Sequence, residues 1–123
     1  MRVIPIIKCI DMEKSVAFYT NILDFEHVGT WSSEDFPAYS IIKKNEIEIH
    51  LSTHSGDGVL GNVVYLVVED VDSLFKRFLA RGLDISYKID SPVHQGPVNQ
   101  TWGWREFYVT DPSGNTMRFG EKL

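Results

Sequence analysis

The sequence predicts an α+β fold built from two copies of a strand–helix–three-strand unit, and three observations carry that prediction. Helix-capping aspartates, Asp11 and Asp70, stand 59 residues apart, and so do Tyr19 and Phe78 within the helices they open. A polar, glycine-containing break, His54-Ser-Gly-Asp-Gly, falls near the middle of the 123 residues, and after it the order of elements starts again. Each half then closes on alternating apolar and polar residues, the mark of half-buried strands. The reading is one domain, 1–123, holding a first βαβββ repeat at 1–55 and a second at 61–123. Each repeat curls a sheet of about four strands in front of one helix, and two such mixed sheets facing each other enclose a cleft.

Residues 3–10 read as a strand. Pro5 lies inside it and cannot donate to a ladder, so the strand is an edge or is irregular there. Asp11 is placed to cap a helix over 12–23, with Ser15, Val16, Tyr19, Ile22 and Leu23 at helical spacing. Strands are expected at 25–30, 38–43 and 46–52, the last alternating Ile47, Ile49 and Leu51 against Glu46, Glu48 and His50, with Lys44-Asn45 as a tight turn. In the second half, 62–68 is a strand. Asp70 caps a helix carrying Val71, Leu74, Phe75, Phe78 and Leu79 on its apolar stripe, and Gly82 ends it. Strands follow at 85–89, 106–110 and 115–119. The last two form a hairpin through Asp111-Pro112-Ser113-Gly114, where proline presets φ and glycine accepts positive φ.

Composition narrows the function. A net charge of −5 argues against nucleic acid, which needs a basic face, and favours a neutral or cationic ligand. No apolar run approaches the ~18 residues of a membrane helix. The first residues are interrupted too early by polar ones for a signal peptide. The lone Cys9 cannot close an internal disulfide, which fits a reducing cytoplasm, and its apolar neighbours make it a small buried hydrophobe. No paired carboxylates, Ser-His-Asp set or phosphate loop is present. His27, His50, His54 and His94 show no helical metal spacing. The segment Trp102-Gly-Trp104-Arg-Glu-Phe107 places two of the three tryptophans at the mouth of the final hairpin. Rigid rings on a rim suit a flat or large ligand; the competing reading is that one ring caps the core and the other covers a loop.

The doubled unit resembles the vicinal oxygen chelate superfamily, which holds glyoxalases, extradiol dioxygenases and bleomycin resistance proteins. Asp11-Met-Glu-Lys-Ser-Val-Ala-Phe-Tyr19 with Leu23-Asp-Phe25 is similar to its first unit. Trp102-Gly-Trp-Arg-Glu-Phe107 followed by Asp111-Pro-Ser-Gly-Asn115 is similar to the C-terminal hairpin of the bleomycin resistance proteins. The resemblance implies metal-ligand positions near Ile4, His50, Val63 and Arg118, of which only His50 is a donor, so no catalytic metal and no cofactor are expected. It implies an aromatic ligand site at Trp31, Phe36, Tyr65 and one of Trp102 and Trp104. Ser52 and His50 would add polar contacts, and Glu34, Asp35 or Glu106 would meet a cationic tail. It also implies a homodimer that exchanges first strands at Pro5. Three readings follow. The first is a protein that sequesters a flat, cationic, bleomycin-like antibiotic; the others are a metal-dependent glyoxalase- or dioxygenase-like enzyme, and a binder of an unidentified metabolite.

Overall fold

A computed structural model describes residues 1–32, 37–86 and 96–123. The chain divides into two units, Met1–Asn62 with Asp111–Asn115, and Val63–Thr110 with Thr116–Leu123. No helix among the described residues is long and apolar enough to cross a membrane.

The first unit holds β1 (Ile6–Lys8), α1 (Met12–Ala17), β2 (Glu26–Ser32), β3 (Ala38–Lys44) and β4 (Ile47–Ser52). Its sheet runs β1-β4-β3-β2, with β1 parallel to β4 and the other pairs antiparallel. The predicted first strand shrinks to three residues: Pro5 contributes only its carbonyl, which accepts from His50 N at 3.0 Å. Asp11 caps α1 by accepting from Lys14 N. The helix expected over 12–23 changes character halfway: Phe18–Ile22 is a π-type turn closed by Leu23 N donating to Phe18 O. The turn between β3 and β4 lies one residue later than expected, at Asn45-Glu46, with Asn45 left-handed at φ 53°. Ile7, Cys9, Tyr19, Leu23, Phe25, Ile42, Ile49 and Leu51 are buried together on the helix side of this sheet. Burial pushes the Cys9 thiol pKa up, in keeping with its part as a small hydrophobe.

Asp111 and Asn115 fasten the turn of the last hairpin to this unit. Asp111 accepts from the Tyr19 hydroxyl at 2.7 Å, from the backbone N–H groups of Ser113 and Asn115, and from the Asn115 amide. Asn115 in turn donates to Lys8 O and accepts from Gly61 N and Asn62 N.

The second unit repeats the plan with β5 (Val63–Val67), α2 (Val71–Ala80), β6 (Val98–Asn99), β7 (Trp104–Thr110) and β8 (Thr116–Lys122), ordered β5-β8-β7-β6. Again the first strand is parallel to the last and the other pairs are antiparallel. The α+β reading, two four-stranded mixed sheets each with a helix, therefore stands. The strand expected at 85–89 is not seen at its first two residues, Ile85 and Ser86. Residues 87–89 lie outside the described residues, and the strand beside β7 is the two-residue β6. Asp70 caps α2 through Ser73 N and Oγ. Phe78 packs edge-on against Phe107 and Phe119, which stack on each other at 5.1 Å, while Leu79 sits exposed at the margin of the stripe.

Asp111→Ala removes the acceptor for a buried hydroxyl and a buried amide together. We expect a loss of about 3 kcal/mol or more of stability in urea denaturation, against about 1 kcal/mol for the exposed cap change Asp70→Ala.

Candidate ligand-binding faces

Strand alternation sorts each sheet into a face that packs on its helix and an open face. In β7, Phe107 and Val109 point to α2, and Arg105 goes with them, making a two-pronged contact with Asp72 at 2.9 Å. Glu106, the next residue, therefore lies on the open face with Trp104 and Tyr108. Cross-strand partners place Tyr65, Arg118, Gly120 and Lys122 there as well.

Glu106 is the hub of this face and is fully buried. Its two oxygens accept from Arg118 Nη2 at 2.9 and 3.1 Å, from the Tyr65 hydroxyl at 2.5 Å and, more distantly, from Trp102 Nε1 and the Tyr108 hydroxyl, each at 3.4 Å. Burial works to raise its pKa, but the hydrogen bonds from Tyr65, Arg118 and Trp102 outweigh it and hold the carboxyl below its ordinary value. Tyr65 responds in the opposite sense: burial, then the bond to Glu106, push its phenol up to about 12. The Arg118 guanidinium lies within 4.7 Å of the Tyr108 ring centre, 5.2 Å of Tyr65 and 6.0 Å of Trp102.

Tyr65 reaches Glu106 by lying across Gly120, where an added Cβ would overlap its ring and hydroxyl. The two tryptophans are also distinguished. Trp102 projects from the turn before β7 and is 55 % exposed, whereas Trp104 is half-buried on β7 and packs edge-on against Tyr65 at 5.7 Å. Trp102 is the rim ring and Trp104 its support.

The open face of the first sheet carries Trp31, Tyr39, Lys43, Glu48, His50 and Ser52 by the same alternation. Trp31, 56 % exposed, lies over Gly29, whose missing Cβ leaves room for the indole. His50 joins Tyr39 (Nδ1, 2.5 Å) to Glu48 (Nε2, 2.6 Å), and Glu48 also pairs with Arg2 and Lys43. The His50 bond, followed by those of Arg2 and Lys43, depresses the Glu48 carboxyl to about 2 against the opposing effect of burial. Glu48 is thus an acceptor at neutral pH. His50 Nε2–H therefore donates to Glu48, and Nδ1 is left facing the Tyr39 hydroxyl.

The family model described as a glyoxalase superfamily protein matches residues 1–123. The chain belongs to the glyoxalase superfamily. No curated protein matches it. Among solved structures it is similar to a bleomycin-binding protein complexed with bleomycin, with TM-score 0.79, 19 % identity and 100 % of this chain and 99 % of that one covered. A bleomycin resistance determinant encoded on the transposon Tn5 superposes with TM-score 0.77 at 18 % identity, covering 99 % and 98 %. A glyoxalase-related enzyme from Clostridium phytofermentans gives 0.75 at 22 %, covering 100 % and 95 %. At these identities the likeness is one of fold.

Within each unit the structure gathers the expected aromatics onto one face: Trp31 with His50 in the first, and Tyr65, Trp102 and Trp104 in the second. Phe36, Glu34 and Asp35 lie outside the described residues. Two expectations are corrected. Ser52 is fully buried, its Oγ donating to Asp57 at 2.7 Å and accepting from His54 N, so its hydroxyl is committed to tying a loop rather than presented on the open face. Glu106 is buried and neutralised by Arg118, so it does not meet a cationic tail. The residues at the superfamily's metal positions do not fit a divalent ion. Ile4 and Val63 have no donor atom, Arg118 is a cation bonded to Glu106, and both His50 nitrogens have protein partners. Asp70, Asp72 and Glu121 do cluster, but they serve the helix cap, Arg105 and Val71 N.

Gly120→Ala should cost about 1–3 kcal/mol by overpacking against Tyr65, and in a Tyr65→Ala background it should cost much less. A double-mutant cycle in urea measures the coupling, and additive losses would contradict the contact. A second expectation concerns acid. Because the folded Glu48 pKa is depressed, its contribution to stability is complete above the ordinary carboxylate value of 4.5 and fades as pH falls toward about 2. Wild type should therefore lose its advantage over Glu48→Gln within that window, and a gap that stays constant from pH 5 to 2 would refute the assignment.

Proposed function

We propose that this chain is a bleomycin-type antibiotic-binding protein that sequesters a flat, cationic ligand and leaves it unaltered. The observation that carries the reading is the pair of exposed indoles, Trp31 and Trp102, each set on the open face of a sheet or at its rim, with Tyr65 and Trp104 beside the second. Flat heteroaromatic groups stack on such rings at about 1–3 kcal/mol each, by analogy with base stacking. Phe36 would add a further ring, His50 a polar contact, and Glu34 and Asp35 would attract the cationic tail. The structural likeness to bleomycin-binding and bleomycin-resistance proteins supports this reading. Sequestration needs no reacting group: the drug is withdrawn by mass action wherever sites exceed it and the dissociation constant lies below its free level.

The enzyme alternative rests on the superfamily's other members and needs a metal. About one equivalent of zinc, nickel, iron or manganese in untagged purified protein would move it ahead. We also propose a homodimer. Val63 and Val67 leave apolar side chains exposed along β5, an edge strand, and β1 is short enough to exchange at Pro5. A monomeric mass by light scattering at micromolar concentration would refute it.

Tryptophan fluorescence titration with bleomycin, with and without copper, tests the function. Trp102→Ala should weaken binding about tenfold or more. Trp104→Ala should weaken it less, by unsettling Tyr65. Absence of any fluorescence or heat response at high micromolar drug would remove the antibiotic reading.

A further inference from the structure

We propose that the open face of the second sheet is a subsite for a planar ring bearing an in-plane anionic or strongly accepting group, such as a heteroaromatic carboxylate, which docks on Trp102 with its acceptor toward Arg118. The inference deepens the binding reading above and rests on it: it says which end of a ligand this face takes. Three observations lead to it.

The first is charge. The whole protein is acidic, but this face is not. Among the described residues its charged groups are Arg118, Lys122 and Glu106, placed there by their partners in the β7–β8 ladder. Glu106 is fully buried, while 27 % of the Arg118 side chain remains exposed and Lys122 is exposed. What a ligand meets is positive.

The second is hydrogen-bonding capacity. Guanidinium has five N–H donors and no acceptor. Glu106 engages Nη2, and among the described residues Nε is buried without a partner, so a ligand meets only the part of the guanidinium that the side chain's 27 % exposure leaves open. Donor capacity is left for an oxygen or nitrogen acceptor in the guanidinium plane, and a carboxylate answers it with a charge-assisted pair.

The third is shape. Tyr65, Tyr108 and Trp102 stand around the guanidinium, and Trp102 bonds the same Glu106 carboxylate that holds Arg118. One carboxylate thereby fixes both the ring that would stack and the cation that would accept the ring's substituent, so a ligand carrying both at the matching separation loses little on binding.

The test uses three probes of one shape: thiazole-4-carboxylate, thiazole-4-carboxamide and 4-(aminomethyl)thiazole, titrated by tryptophan fluorescence beside bleomycin. The carboxylate should bind roughly tenfold tighter than the amine, with the carboxamide between. Arg118→Gln alone would strand a buried carboxylate and is liable to unfold, so the informative variant is Arg118→Met with Glu106→Gln. It should unfold cooperatively, still bind thiazoles weakly, and show no preference between carboxylate and amine. An amine that binds as tightly as the carboxylate, a carboxylate that shows no saturable binding, or a preference that survives in the double variant would each overturn the proposal. The bleomycin arm separates the two ideas. Carboxylate preference without bleomycin binding retains the subsite and removes the drug, and bleomycin binding with amine preference does the reverse.

Discussion

The second unit is organised by one buried carboxylate. Glu106 sits on the sheet face that has no helix to cover it, yet no water reaches it, because Tyr65, Arg118, Trp102 and Tyr108 close over it and donate to it. Taking one charge out of water costs several kcal/mol, and the pairing recovers that cost only when the geometry satisfies both partners. Every neighbour is therefore constrained. Tyr65 must cross the sheet from β5, and for that residue 120 must lack a side chain. Arg118 must keep one nitrogen on the carboxylate, and the turn before β7 must aim the Trp102 indole inward while exposing its face. The open aromatic surface is a consequence of satisfying Glu106.

The first unit builds the same kind of hub from different residues. His50 lies opposite Ile6 in the parallel ladder of the first sheet, as Arg118 lies opposite Tyr65 in the second. The repeated fold thus presents one position twice, on the last strand of each sheet, and fills it with a half-buried polar side chain that bonds a carboxylate from the open face: His50 with Glu48, Arg118 with Glu106. These are two of the positions at which the resemblance to the superfamily implies metal ligands. Here each donor already has a protein partner or carries a positive charge, so the residues do work that opposes a dication.

Much of the fold was legible because its signals are local. Asp11 and Asp70 read as caps since a carboxylate three residues ahead of an N–H needs nothing from the rest of the chain. The final hairpin read correctly since alternation and a Pro-Ser-Gly turn fix its register. The π-type turn at Phe18–Ile22 was not legible, because its residues keep apolar spacing that suits either helix. β6 was missed because two residues, Val98 and Asn99, carry no periodicity; only pairing with Glu106 and Arg105 makes them a strand. Ser52 looked like a ligand contact by position in the family, but its burial depends on Asp57 closing back over it. Tyr39, the partner of His50, is one alternating residue among several and carries no local signal that would single it out. The parity of Glu106, Tyr108 and Arg118 could have placed them on one face, but the register that joins them depends on the length of the 111–115 turn.

The choice of an ion pair at the hub bears on the proposed function as well as on stability. A buried Arg–Glu pair can often be replaced by well-packed apolar side chains with no loss of stability, and sometimes with a gain. Stability alone therefore gives weak reason to keep Glu106 and Arg118 on a face that already has four aromatic rings to fill it. What the pair adds is an orientation that no apolar packing reproduces. Its negative end is buried, its positive end is partly exposed, and the ring beside it is held by the same carboxylate. A surface of rings alone would accept any flat molecule in any rotation. The Arg118 edge makes one in-plane direction different from the others, which is the least that a binding face needs to tell one end of a flat ligand from the other.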